Sequence, residues 1–136
     1  MSFISLPVKP KIVIITSSGD TAPDVSAQWV EARVPLAHLT FFAARSAPPA
    51  AYMGWLMCKD YDVFDWADSL VKGGFVGRCL LISQEDLPRP DMVLAELGDA
   101  FKTLSFSLWR ADDAAEQCQT YCEALSFARP AMPLPA

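Results

Sequence analysis

"KIVIITSSGD", residues 11–20, is the stretch whose reading decides the fold. Its first part, "KIVIIT" (11–16), is a continuous β-branched run with no polar alternation. That is the pattern of a strand covered on both faces, as in a parallel sheet between helix layers. "SSGD" then turns the chain. Loops leaving the carboxyl end of such a strand are where α/β domains place ligands and phosphates. The stretch therefore poses two readings, a working loop or a plain turn.

Outward from it, the order of elements is read from periodicity. Asp20 or Thr21 can cap a following helix, with Pro23 in its first turn. Val25, Trp29 and Ala32 fall at helical spacing up to Pro35. "AHLTFFAARS" (37–46) is expected to be a strand, and "APPA" (47–50) a breaker. Residues 50–58 are read as a short irregular or helical piece. A helix follows near 62–72, capped by Asp60 or Asp62 and stopped by Gly73 and Gly74. "GRCLLIS" (77–83) is a strand, and Pro90 and Asp91 open a helix whose apolar stripe is Val93, Leu94, Leu97 and Phe101. "LSFSLWRA" (104–111) is a partly alternating strand. "DDAAEQCQTYCEAL" is an amphipathic helix with Cys118, Tyr121, Cys122 and Leu125 on one face. Alternating strands and helices argue a small three-layer α/β/α domain with a mostly parallel sheet of four or five strands. It is expected to span 1–128, with a Pro-rich tail at 129–136; residues 1–8 are a candidate edge strand.

Bulk properties narrow the function. The chain has 136 residues, is 52% hydrophobic and 20% charged, enough for one real core. Its formal net charge is −5, and its 11 Lys and Arg form no basic run, so nucleic acid is not an expected partner. No apolar stretch is long enough to span a bilayer. The N-terminus lacks the features of a secretory signal, so a cytoplasmic protein with four reduced cysteines is expected.

Candidate sites are few. Ser17, Ser18, Gly19 and Asp20 could hold an anion on backbone N–H groups, although Asp20 opposes a phosphate and neither a Walker loop nor G-x-G-x-x-G is present. The plainer reading is a turn with an N-cap. Asp20, Asp60, Asp62, Asp65 and Asp86 could gather around Mg²⁺, or be solvated helix-end charges. Cys118 and Cys122 share the apolar face of their helix, and no second Cys or His pair lies nearby, so buried thiols are favoured over zinc. The lone histidine, His38, has no nucleophile motif to serve. The aromatic segment (Tyr52, Trp55, Met57, Tyr61, Phe64 and Trp66) carries more apolar surface than a short connection needs. It is taken as a contact surface for a protein partner or for self-association.

The element order, with "GGFVGRCLLIS" and "PRPDMVLAELGDAF", resembles response-regulator receiver domains. The resemblance implies that Ser83 matches the hydroxyl residue that touches the phosphoryl group, and that the first strand's exit carries acidic Mg²⁺ ligands, for which Asp20 is available. The phosphoacceptor Asp is missing in register: "FFAARSAPP" puts Ala44 there, and an alternative register through "YDVFDWADSL" offers Asp65. The family's lysine has no counterpart in "LSFSLW". The expectation is a receiver-like, non-enzymatic signalling or regulatory module without phosphotransfer, catalytic residues, metal or cofactor. The alternative is a small enzyme or anion-binding protein with its site at Ser17–Asp20.

Overall fold

A computed structural model describes residues 10–17 and 25–128. Ser18, Gly19, Asp20, the edge strand suggested for residues 1–8 and the Pro-rich tail lie outside the described residues. Five parallel strands form one sheet in the order β2-β1-β3-β4-β5. They are β1 (Ile12–Thr16), β2 (Val30–Pro35), β3 (Ala51–Trp55), β4 (Gly77–Ser83) and β5 (Leu104–Arg110). The helices are α1 (Leu39–Arg45), α2 (Val63–Lys72), α3 (Pro90–Ala100) and α4 (Ala114–Ala128). This order is the flavodoxin/CheY-like topology, in which the strand order reverses direction between β1 and β3.

β1 is an interior strand, covered on both faces as its sequence announced, with Ile12, Val13, Ile14 and Ile15 fully buried. The elements read at 62–72, 77–83, 90–101, 104–111 and 112–125 are also present. Asp62 caps α2: its carboxylate accepts from the Asp65 N–H, and Asp65 reciprocates to the Asp62 N–H. Gly74, at φ 87°, supplies the left-handed residue beyond the helix.

Three expected elements are corrected. Residues 30–35 form a strand, not the end of a helix; Val30, Ala32 and Val34 lean on the core while Glu31 and Arg33 face solvent. Residues 39–45 form a helix, not a strand, because Leu39, Phe42 and Ala43 repeat at helical spacing against the core and Phe41 points out. Residues 51–55 form a central strand, buried at every position. Its Gly54 is required by close packing: a Cβ there would lie 2.9 Å from Cε2 of Trp66. β2 therefore occupies a stretch whose sequence reads as helix and is short for a further strand.

Register places Ala32, Val13, Tyr52, Cys79 and Phe106 in one row across the sheet. This row faces α1, α2 and α3. Phe75, just after α2, meets Tyr52 edge-on at 4.7 Å, and Phe101, just after α3, lies 6.3 Å from Phe106. The Thr40 hydroxyl donates to the Ser69 carbonyl and ties α1 to α2. The opposite face is covered by α4, where Tyr121 packs on Trp109. Between β1 and β2 the described chain has only a 3-10 turn, Ala27–Trp29. Its buried Trp29 donates from Nε1 to Gln119 of α4, so a single indole joins this connection to the helix layer.

Candidate functional site at the sheet switch point

In an open parallel sheet of this order, a crevice is expected beyond the carboxyl ends of β1 and β3, where the chain switches direction. β1 and β3 pair from Ile12–Ala51 to Ile14–Met53 and then separate. The gap is bridged by one side chain. The Tyr61 hydroxyl donates to the Ile15 carbonyl at 2.9 Å, and the Trp55 N–H reaches the same hydroxyl at a long 3.4 Å. Tyr61 is brought there by a tight return. Met57 and Asp62 form an antiparallel bridge, the Cys58 N–H donates to the Tyr61 carbonyl, and the Val63 N–H to the Leu56 carbonyl. The Trp66 indole N–H donates to the Trp55 carbonyl at 3.0 Å, which closes the floor from the α2 side.

The polar groups along this edge meet one another. Ser17, at the exit of β1, donates to Oδ2 of Asp60 at 2.9 Å. Ser83, at the end of β4, donates to the Glu85 carbonyl at 2.6 Å and accepts from the Glu85 N–H. Its hydroxyl is thus held in a local turn. Arg110 ends β5 and pairs with Asp86 and Asp112, each at 3.2 Å. These ion pairs are exposed and contribute little to stability.

Among its described members, Asp60, Asp62, Asp65 and Asp86, the candidate carboxylate cluster is not assembled. Asp62 and Asp65 serve the α2 cap, Asp86 faces Arg110, and Asp60 faces Ser17. Among the described residues no set of three His, Cys, Asp or Glu is placed to hold a metal. The oxygen-rich shell that Mg²⁺ takes in a receiver frame is therefore not matched by them. Ala44 and Asp65, the two positions aligned with the receiver acceptor, lie on helices, and the strand that ends at the switch point is followed by Leu56 and Met57.

The aromatic segment resolves into two parts. Tyr52, Trp55, Tyr61 and Trp66 are core residues, so the surface they were expected to offer is already used in packing. Met57 at 70% exposure and Phe64 at 48% remain on the surface. Sequence reasoning missed the bridging role of Tyr61, because a lone tyrosine in a polar loop carries no periodic signal. The place of Tyr61 directly before the Asp62 cap of α2 was the available hint.

Cys118 and Cys122 are buried on the inner face of α4. The hydrogen bond to Cys122, together with burial, pushes the Cys118 thiol up. Neither sulfur is offered to a ligand. No helix among the described residues is long and apolar enough to cross a membrane. No family model, curated protein or solved structure matches the chain.

Proposed function

We propose that this chain is a non-enzymatic signalling or regulatory interaction module on a receiver-like frame that has no phosphotransfer. The observation that carries the reading is the Tyr61 hydroxyl bridging β1 and β3 at the switch point. A ligand or phosphoryl group would need that space. In addition, Trp55 and Leu56 stand where a receiver presents its acceptor carboxylate, and the Ser83 hydroxyl is committed to Glu85. A frame kept with its reactive edge filled is suited to contact rather than chemistry.

In this proposal the contact surface comprises Met57 and Phe64, the exposed remainder of the aromatic segment, on the loop after β3 and the first turn of α2. The partner is a second copy or another protein. Large exposed apolar side chains of this kind are enriched where proteins meet. Light scattering is expected to show a dimer or larger species, and Met57→Lys with Phe64→Lys to yield a monomer with little change in melting temperature. A wild-type monomer would overturn the self-associating form of the proposal.

The alternative, an anion-binding protein or small enzyme at Ser17–Asp20, draws support from the position of Ser17 at the carboxyl edge. Against it, the Asp60 carboxylate beside Ser17 repels an anion. A rise in melting temperature with nucleotides or sugar phosphates, abolished by Ser17→Ala, would favour it.

A further inference from the structure

On the far edge of the sheet, β2 and α1 enclose an open pocket of about 560 Å³. That lies within the range of small-molecule sites, roughly 300–1,000 Å³. Its walls are apolar: Val34 and Pro35 from β2, Phe41 and Phe42 from α1. Phe41 is 63% exposed, a large ring left at the mouth rather than folded into the core.

The charge at this mouth is of one sign. Arg33 and Arg45 line it, and no carboxylate among the described residues does. Lys72 and Arg110 form ion pairs elsewhere on the surface, and among the described residues neither Arg33 nor Arg45 joins one. Two such arginines beside aromatic walls stand out on a chain of net charge −5. Arg45 sits over the Phe41 ring, 4.6 Å from guanidinium carbon to centroid. Stacking holds the guanidinium plane in place and leaves its N–H edge free to donate, the arrangement in which arginine takes a carboxylate bidentately.

We infer that the β2–α1 pocket binds a small organic carboxylate with an apolar, ring-sized body. The body lies between the two phenylalanines and Val34, and the acid group meets Arg45, the cation that sits over Phe41. The complementarity is of both kinds: apolar walls for the body, and a cation outside the ion pairs of the described residues for the charge. The pocket shares no residue with the switch point, so its failure would leave the reading of that edge untouched.

The test uses the full chain with three probes of one shape, 2-naphthoate, 2-naphthalenemethanol and 2-naphthylmethylamine. The result expected is that naphthoate alone raises the melting temperature and shifts the amide resonances of residues 32–46. Arg45→Ala is a surface change that should leave the folded spectrum intact, and it is expected to weaken naphthoate binding about tenfold, as for a lost charged hydrogen bond. Equal responses to all three probes, no response to any, or no effect of Arg45→Ala would overturn the inference. So would a response to an acidic peptide but not to naphthoate, which would point to a protein partner.

Discussion

Tyr61 is the residue on which the account turns. Its ring is buried and its hydroxyl supplies the polar contact between two strands that have stopped pairing. Tyr61→Phe removes that hydroxyl from the Ile15 carbonyl and the Trp55 N–H. The expected cost is about 1–3 kcal/mol of unfolding free energy, read from urea titration. Two other buried groups set an alkaline limit. Burial pushes the Tyr52 phenol from 10.0 up to about 12, with the Glu31 carboxylate adding to the effect. Burial also pushes the Cys79 thiol from 9.0 up to about 12, against the opposing pull of Arg78. Both pKa values are raised above those of the unfolded chain, so their contribution to stability is full below the unfolded values and is lost as pH rises through the folded ones. The denaturation midpoint should therefore decline between pH 9.0 and about 12, with a shallower slope in Tyr52→Phe.

Among the elements, β3 is the most constrained and was the least legible. "AYMGW" mixes a glycine, a methionine and two aromatics, and its β-propensity is unremarkable until Trp66 is placed over Gly54. Gly54→Ala should cost about 1–3 kcal/mol through overpacking, because the ring it would meet is itself buried. A chemical denaturation midpoint near that of the wild type would contradict the close packing described. β2 and α1 exchanged their expected types for related reasons. "QWVEARV" is rich in helix-forming residues, yet the open edge of β1 took it as a strand. "LTFFAAR" has an apolar run that resembles a strand, yet only one of its faces finds a core. By contrast β1, β4 and α2 carry signals that tertiary context does not override: unbroken aliphatic runs in the two strands, and in α2 an amphipathic period with a capping box.

At the scale of the molecule, the fold class and the parallel sheet were readable from the alternation of elements, and the switch point was not. Its position depends on strand order, which no local pattern encodes. The readings of the aromatic segment and the carboxylates show the same limit. Trp55 and Trp66 look like surplus surface until they meet across β3 and α2, and Asp60 looks like a metal ligand until it meets Ser17. The central claim is that this receiver-like frame has a closed reactive edge. It is tested most directly by intact-mass measurement after incubation with acetyl phosphate and Mg²⁺. The account predicts no added phosphoryl mass on the wild-type chain. An acid-stable, base-labile phosphoryl adduct mapping to Asp60, and lost in Asp60→Asn, would contradict it.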